Sequence, residues 1–337
     1  MRHQVVGMLN AGYINAGATR TPMPDILFIK TSSLGDVVHH MPAVTDARAR
    51  RPELRIGWVV EEAFAPLVRL HPAVDEVIPV AGRDWRRTWY APWRWSEIGA
   101  FVRALRARHY DAVIDTQGLI KSASIARLAR GLRHGYDPHS IKEKFAARFY
   151  DACHAVEWQQ HAVSRNRALT GLALGYIPEG APDYGLSRMR LAEPWAAPYA
   201  VALHATADHG KEWPEPHWRA LVATLSRDIE VVLPHGNDRE RARSERIAAG
   251  NARTRVPDRQ ALNGVARIIA GASFVVGVDT GLSHVAAALG VPLVAIFAGS
   301  EPDLTGPVGS GPITVLGAND APPSVDEVVQ AVAWIKA

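Results

Sequence analysis

Two short polar stretches in this 337-residue chain follow buried strands and carry residue types that could do chemistry. The first is residues 30–36, after the apolar run 26–29, and the second is the turn at residues 279–281, after the β-branched run 274–278. In open parallel sheets, ligands bind beyond the carboxyl ends of the strands, where such turns gather. The sequence therefore predicts two candidate binding loops, one in each half of the chain.

The turn in the second half is typical of a phosphate site. Apolar residues with helical spacing resume at Leu282 and Val285, so the turn stands at the start of a helix. A helix N-terminus offers unpaired backbone N–H groups and a positive dipole end, and Thr280 and Gly281 allow a diphosphate to approach closely. The alternative interpretation is a plain helix cap, the usual role of Asp or Thr at this position.

Other strand-end loops of the second half supply groups that suit a sugar nucleotide. Lys211 would neutralise phosphate charge, and Glu240 or Asp279 would bind ribose or sugar hydroxyls. Thr206 follows the strand predicted at residues 199–203 and belongs to the same predicted edge of the sheet.

Asp36 is the candidate general base. The apolar spacing of Val37, Val38 and Met41 predicts a helix that begins at or just after Gly35, at the end of the first strand. The helix dipole would hold a carboxylate there in its charged form, ready to accept a proton from a substrate hydroxyl. A helix-terminal carboxylate without chemistry is the alternative interpretation.

A stretch rich in arginine and tryptophan follows the third predicted strand. Arginine suits phosphate and carboxylate, and tryptophan suits sugar faces or a membrane interface. A loop anchored by core tryptophans is the alternative, and the pattern lacks the stacked aromatic residues of a single-strand nucleic-acid platform. The residues concerned are Arg83, Arg86, Arg87, Trp85, Trp89, Trp93 and Trp95.

Composition indicates an ordinary globular protein, and the concentration of arginines in the first half favours an anionic partner, with a solvated basic face as the alternative. The hydrophobic fraction is 47%, the net charge is +4 and the isoelectric point is near 9.3. Cys153 is the single cysteine, so an internal disulfide is impossible and a reducing compartment fits. The sequence contains no apolar run long enough to span a membrane and no clear signal peptide, and residues 1–23 are predicted to be a disordered extension.

Alternating strands and helices predict an α/β protein with two doubly wound parallel sheets. Residues 24–182 would form the first domain and residues 183–337 the second, because prolines and glycines cluster between residues 178 and 198. Helices are predicted at residues 63–70 and 97–108, and residues 141–150 could form another. The sequence between residues 134 and 167 otherwise indicates no clear secondary structure.

Several common motifs are missing from the sequence. No Gly-x-Gly-x-x-Gly follows a strand, which argues against a dinucleotide site, and Gly210-Lys211 lacks the Ser or Thr of a phosphate-binding P-loop. No Asp-x-Asp occurs, which argues against sugar-nucleotide transferases that chelate a metal.

Residues 30–39 (KTSSLGDVVH) and 279–284 (DTGLSH) together resemble the ADP-heptose:lipopolysaccharide heptosyltransferases. Further matching pieces lie at residues 58–62, 115–119, 204–206, 211–214 and 264–266, and the resemblance runs from about residue 24 to 335. The Lys-Thr-Ser-Ser start favours the members that add the first heptose to Kdo-lipid A.

The resemblance implies a GT-B fold whose C-terminal helix crosses back to the first domain. It also implies inverting, metal-independent transfer of heptose from ADP-heptose to Kdo-lipid A, with no cofactor and no nucleic-acid partner. The protein would be cytoplasmic and peripheral to the anionic face of the inner membrane. Asp36 matches the base. The donor-binding positions are Thr206, Lys211, Glu240, Asp279, Thr280, Gly281 and His284, and the acceptor-binding positions are Ser33, Gly35, Arg83, Arg86, Arg87, Lys121, Lys142, His161 and Arg165.

Three departures from the family pattern concern fine contacts rather than the reaction class. Ala207 replaces a second threonine that relatives often carry, Asp84 interrupts the basic run, and Lys142 replaces an arginine. The alternative functions are another heptosyltransferase of the same family, a non-catalytic nucleotide-binding module and, against the missing glycine motif, a nicotinamide-dependent oxidoreductase.

Overall fold

Short buried strands alternate with helices along the first half of the chain and assemble into one six-stranded parallel sheet. The computed structural model describes residues 24–87, 90–193 and 195–336, and it describes the backbone alone for Arg83, Arg86 and Arg87. The strands are β1 (Asp25–Ile29), β2 (Arg55–Glu61), β3 (Glu76–Val80), β4 (Tyr110–Asp115), β5 (Gly131–Tyr136) and β6 (Ala152–His154).

The strand order is β3-β2-β1-β4-β5-β6, so the direction of winding reverses between β1 and β4. At this switch point Phe28 of β1 pairs with Trp58 of β2 on one side and with Ile114 of β4 on the other. The loops that leave β1 and β4 therefore diverge to opposite faces and open a crevice at the carboxyl edge of the sheet.

The second half repeats this topology. Its six parallel strands lie in the order β12-β11-β10-β7-β8-β9, with the switch point between β7 and β10. Two doubly wound parallel sheets confirm the predicted fold class. The strands are β7 (Tyr199–Leu203), β8 (Glu230–Val232), β9 (Thr254–Arg255), β10 (Phe274–Val278), β11 (Leu293–Ile296) and β12 (Ile313–Leu316).

Helices connect the strands and cover the sheets. Short 3-10 turns occur at Glu62–Phe64, Lys144–Phe149 and His209–Lys211. The helices are α1 (Leu34–Arg50), α2 (Ala65–Val68), α3 (Gly82–Arg87), α4 (Pro92–Arg106), α5 (Ile120–Leu128), α6 (Ala162–Leu174), α7 (Arg188–Leu191), α8 (Glu215–Leu225), α9 (Asp238–Ala248), α10 (Leu262–Gly271), α11 (Gly281–Ala288) and α12 (Val325–Lys336).

Proline explains two differences from the predicted helices. The helix predicted at residues 63–70 is a 3-10 turn followed by the short α2, because Pro66 has no backbone N–H to donate and is tolerated only in the first turn of an α-helix. α4 begins five residues earlier than predicted, since Pro92 fits the first turn of a helix. The helix considered for residues 141–150 is only a 3-10 segment.

The C-terminal helix α12 corrects one prediction. Val328, Ala331, Val332 and Ile335 are buried in the apolar core of the second sheet, together with Trp213 and its neighbours. The helix therefore packs on its own domain, rather than crossing back to the first domain as the resemblance implied.

The two halves meet where the N-termini of α1 and α11 approach each other. A Cβ atom on Gly281 would lie 2.5 Å from the Cβ of Leu34, so only glycine permits this contact. A continuous set of buried apolar residues runs through both helices and joins the two halves. The predicted domain boundary at residues 182 and 183 falls in the connection between α6 and α7.

Two further sequence predictions concern the N-terminal segment and membrane-spanning helices. The predicted extension, residues 1–23, lies outside the described residues. In the described part of the chain, every helix is too short or too polar to cross a bilayer.

Candidate active site

The loop after β1 is tied to the loop after β4 across the first switch point. Gln117 accepts hydrogen bonds from the backbone N–H and the hydroxyl of Thr31 at 2.7 and 2.8 Å, and its amide donates to the carbonyl of Ser32 at 2.8 Å. The turn that carries Gln117 is in turn shaped by buried Asp115, which accepts the N–H groups of Gln117 and Gly118. These bonds fix the loop that leads into Asp36.

Asp36 lies in the first turn of α1, and one of its two carboxylate oxygens accepts hydrogen bonds. Its Oδ2 accepts the backbone N–H of Ser33 at 2.8 Å and the Ser33 hydroxyl at 2.9 Å. This arrangement is a helix N-terminal cap, as the alternative interpretation expected. Oδ1 has no hydrogen-bond partner within the described ranges, so the carboxylate can cap the helix and still accept a proton.

A buried lysine lies beside this carboxylate. The ammonium of Lys30 donates to the carbonyl of Thr116 at 3.0 Å and to the amide oxygen of Asn166 at 3.4 Å. Burial lowers the pKa of Lys30, and the negative charges of Asp36 and Asp115 partly oppose that effect. The predicted site did not include Lys30, although it opens the Lys-Thr-Ser-Ser motif.

A cavity of about 230 Å³ lies above these residues, between the two halves of the chain. First-half residues in its wall include Asp36, Lys142 and Arg165, while Leu304 and Thr305 come from the second half. The structure thus brings the candidate base together with two of the cations predicted to face the acceptor.

Other predicted acceptor residues have different surroundings. The ammonium of Lys121 donates to the Ser32 hydroxyl at 2.6 Å, which places it at the same loop. Gly35 packs against the ring of His284, and a Cβ atom on it would lie 3.0 Å from that ring. His161 bonds to the carbonyl of Gly306 at 3.0 Å and so bridges the two halves.

The predicted donor turn lies at the second switch point. Lys211 Nζ is 2.6 Å from Asp279 Oδ2, the Ser300 hydroxyl donates to the same oxygen at 2.7 Å, and the Thr206 hydroxyl donates to the Asp279 carbonyl at 3.1 Å. Burial would raise the pKa of Asp279, but the bonds from Lys211 and Ser300 outweigh it and hold the pKa below its usual value. Gly281 is the first residue of α11, so backbone N–H groups of that helix face this turn.

Glu240 stands at the same edge of the second sheet, in the first turn of α9. Its two oxygens accept the N–H of Gly236 and the side-chain amide of Asn237, each at 2.7 Å. A ribose hydroxyl would therefore have to share or displace these contacts.

A buried arginine supports the loop that carries Lys211. The guanidinium of Arg243 donates to the carbonyls of His204 and Trp213, each at 2.7 Å, and lies 2.9 Å from Glu212. Sequence reasoning missed this residue because it lies in the charged pattern of α9, where an arginine is expected to be solvated.

Histidines rather than charged pairs fill the contact between α1 and α11. His39 Nε2 lies 3.1 Å from His284 Nδ1, and the ring of His161 stands edge-on to His39 with centroids 5.2 Å apart. Burial lowers the pKa of all three, that of His284 to about 4. His284 is thus a buried residue of the interdomain contact, next to the predicted donor turn.

These buried histidines predict a loss of stability in mild acid. Burial lowers the pKa of His71, His204 and His284 to about 4 in the folded protein, whereas each would ionise near 6.5 when unfolded. Below about pH 6.5 the unfolded chain takes up protons that the folded chain does not, so stability falls continuously towards about pH 4. At about pH 5 each of these histidines lowers the free energy of unfolding by roughly 2 kcal/mol relative to neutral pH.

Calorimetric thermal midpoints between about pH 8 and pH 5 test this expectation. His284→Gln should flatten the dependence, and its midpoint at pH 8 reports what the substitution costs by itself. A midpoint that stays constant or rises on acidification would contradict the prediction.

The arginine-tryptophan stretch divides into buried and exposed parts. Trp85 packs on Phe101 with ring centroids 5.4 Å apart, as the core-anchor alternative expected. In contrast, Tyr90 is 70% exposed, and Trp93 and Trp95 are each 63% exposed. The side chains of Arg83, Arg86 and Arg87, and all of Trp89, lie outside the described part of the chain.

The structure also shows whether side chains that could bind a metal lie close together. Within residues 24–87, 90–193 and 195–336, the His, Cys, Asp and Glu side chains form no group of three or more arranged to hold a metal ion.

Comparisons with known proteins agree with this geometry. A model of glycosyltransferase family 9 (heptosyltransferase) matches residues 98–333. Lipopolysaccharide heptosyltransferase 1 of Escherichia coli K12 is 46% identical over 289 residues, covering 84% of this chain and 91% of that protein. Lipopolysaccharide heptosyltransferase 1 of Pseudomonas aeruginosa is 46% identical over 288 residues, covering 84% of this chain and 81% of that protein.

Solved structures extend the similarity to the fold. E. coli heptosyltransferase WaaC with ADP superposes with a TM-score of 0.87 at 42% identity, covering 92% of this chain and 99% of that one. The same enzyme with ADP-2-deoxy-2-fluoro heptose gives a TM-score of 0.84. This likeness confirms the predicted GT-B architecture. With a family model that spans more than half of the chain and relatives of this identity, the chain belongs to glycosyltransferase family 9, the heptosyltransferases.

Proposed function

We propose that this protein transfers heptose from ADP-heptose to Kdo-lipid A, with inversion at the anomeric carbon, in the assembly of the lipopolysaccharide inner core. Heptosyltransferase 1 of E. coli K12 and that of Pseudomonas aeruginosa are each 46% identical to the chain, whereas heptosyltransferase 2 of E. coli is 25% identical. This difference favours the first-heptose reaction over another reaction of the same family.

The meeting of the two helix N-termini carries the proposal. Asp36, with one free oxygen, lies in the first turn of α1, and the Asp279 turn directly precedes α11, the helix that contacts α1 at Leu34. A donor diphosphate on the α11 N-terminus and an acceptor hydroxyl on Asp36 would then lie across one narrow cleft. Inverting transfer requires this arrangement, because the hydroxyl attacks the anomeric carbon from the face opposite ADP.

Each chain element has a defined part in the proposed reaction. Asp36 removes the proton of the acceptor hydroxyl as the new glycosidic bond forms and the bond to ADP breaks. Lys211 and the N–H groups of α11 stabilise the negative charge that develops on the diphosphate. Thr206 supports the Asp279 backbone, and Glu240 contacts the ribose. Lys142 and Arg165 face the acidic acceptor.

The test is to mix the protein with ADP-heptose and Kdo-lipid A and to follow ADP release together with the mass of the product lipid. The expected result is one heptose added per ADP released, and turnover should continue in EDTA because Lys211 and α11 supply the positive charge. Binding of ADP without turnover would instead indicate the non-catalytic module. Loss of turnover in EDTA with rescue by Mg²⁺ would contradict metal independence.

We propose that the arginine-tryptophan stretch draws the protein to the anionic cytoplasmic face of the inner membrane. α3 follows the carboxyl end of β3, at the same edge of the sheet as Asp36, and exposed Trp93 and Trp95 follow shortly after it. Tryptophan favours the membrane interface, and each basic residue near an anionic membrane contributes about 1 kcal/mol.

The double substitution Arg86→Glu with Arg87→Glu should raise KM for Kdo-lipid A by roughly thirty-fold or more while ADP affinity stays unchanged. Removing two attractions of about 1 kcal/mol each accounts for this factor. High salt should weaken the acceptor interaction of the wild type in parallel, because it screens exposed charges. Arg103→Glu with Arg106→Glu, in the last turn of α4, is the control of equal charge. A fall in donor affinity would assign the stretch to the fold or to the donor site instead.

A further inference from the structure

The cavity beside Asp36 holds an arginine that is fixed by aromatic rings. The Cζ atom of Arg165 lies 4.0 Å from the ring centre of Trp158 and 4.9 Å from that of Tyr136. Its Nη2 donates to the carbonyl of Ser140 at 2.7 Å. Two rings and one carbonyl therefore determine where the guanidinium points, and all three side chains, Trp158, Tyr136 and Arg165, line the cavity.

The charge of this cavity favours an anion. Lys30, Lys142 and Arg165 all line it, whereas Asp36 is the one carboxylate among its described lining residues. Lys30 and Arg165 donate to carbonyl and amide oxygens rather than to a carboxylate. A guanidinium held without a carboxylate partner keeps donors available for the anionic group of a ligand.

Trp158 is the exposed member of this arrangement. Its indole is 39% exposed, whereas Tyr136 is buried at 3%. A cation over a tryptophan face is attracted by the ring quadrupole, more strongly where water is partly excluded. Trp158 thus completes the aromatic clamp on its solvent side, where the acceptor would enter.

We propose that Trp158 is a positioning residue for the acceptor: it holds the guanidinium of Arg165 against Tyr136 so that it meets the carboxylate of an acidic sugar. This inference rests on the proposed function and adds a residue to its acceptor site. In this proposal Trp158 acts through Arg165 rather than on the reacting atoms, so its loss should change acceptor binding rather than the chemical step.

Steady-state kinetics of Trp158→Ala and Trp158→Phe test the proposal. The alanine variant should raise KM for Kdo-lipid A by about ten-fold, while kcat and KM for ADP-heptose change by less than about two-fold. The phenylalanine variant keeps an aromatic face and should recover most of the loss. Trp334→Ala, which removes an exposed indole from α12, is the control and should leave all constants unchanged. An alanine variant with wild-type KM for the acceptor, or one that lowers only kcat, overturns the proposal.

A double-mutant cycle separates positioning from a direct role. In the Arg165→Met background, Trp158→Ala should raise KM by less than about two-fold, because the group that it positions is already gone. Full additivity of the two effects would overturn action through Arg165. Thermal midpoints of all variants should lie close to that of the wild type, and a collapsed midpoint in both Trp158 variants would make the role structural and overturn the proposal.

Binding measured without turnover distinguishes this inference from the proposed function. Calorimetric titration of the donor-free protein with Kdo-lipid A in detergent micelles should show about ten-fold weaker binding for Trp158→Ala. A wild type that binds this lipid but does not release ADP would overturn the proposed function alone. Equal binding by wild type and Trp158→Ala, or no binding by either, would overturn the inference.

Discussion

Replacing Asp36 by asparagine is expected to lower turnover by about 10²–10⁴-fold, the usual contribution of a positioned general base. The substitution keeps the size of the side chain, and the amide oxygen can still accept the Ser33 N–H that the carboxylate accepts at 2.8 Å. It removes the ability to take a proton, so ADP-heptose should still bind and the thermal midpoint should barely move. Single-turnover ADP release, donor titration and calorimetry measure the three quantities.

Ser33→Ala is the matched control for this prediction. It removes the hydroxyl that bonds to Asp36 at 2.9 Å and leaves the carboxylate in place. Loss of this hydrogen bond to the capping carboxylate costs about 1 kcal/mol of stability, so this variant should change the thermal midpoint more than Asp36→Asn. Turnover should fall much less than in Asp36→Asn, because the general base is still present and only a predicted acceptor contact is lost. If Asp36→Asn retains more than about a tenth of wild-type turnover, the base lies elsewhere. If it loses both fold and donor binding, Asp36 is a structural cap.

The sheets could be predicted because their strands are short, apolar and separated by helices of regular period. β10 and β12 show this well, because each is a short apolar segment whose ends are marked by turns. The helix α9 is delimited in a similar way, by its N-cap residue Asn237. β5 and β6 show the opposite. β5 contains two glycines, an arginine and a histidine, and β6 has only three residues, so tertiary pairing rather than local pattern defines both.

The site residues divide in a similar way. Asp36 and the Asp279 turn could be predicted because a polar residue between a strand and a helix must lie at the carboxyl edge of a parallel sheet. The surroundings of His284 could not be predicted, because its partner His39 lies 245 residues away in the sequence. Trp158 follows β6 and precedes α6, in a segment without periodicity, so only the assembled cavity shows that it faces Arg165.

Lys211 is the second residue whose removal should have a large effect. Its ammonium lies 2.6 Å from Asp279 at the N-terminus of α11, where the donor diphosphate is proposed to bind. A hydrogen bond to a charged group is worth about 1.5–3 kcal/mol. Lys211→Ala should therefore weaken binding or turnover of ADP-heptose by roughly ten- to a hundred-fold, since about 1.4 kcal/mol corresponds to a factor of ten.

The pair with Asp279 offers a second explanation for such a loss, and a double variant decides between the two. If Lys211 serves only to neutralise Asp279, then Asp279→Asn should restore donor affinity in the Lys211→Ala background, because no unpaired carboxylate would repel the diphosphate. If Lys211 contacts the diphosphate itself, the double variant should bind ADP-heptose about as weakly as Lys211→Ala. We expect the second result, because Asp279 also accepts the Ser300 hydroxyl at 2.7 Å and so keeps one partner without the lysine, whereas the donor site would lose the positive charge of Lys211. Titration of the four proteins with ADP and ADP-heptose measures the difference, and unchanged affinity in Lys211→Ala would remove this lysine from the donor site.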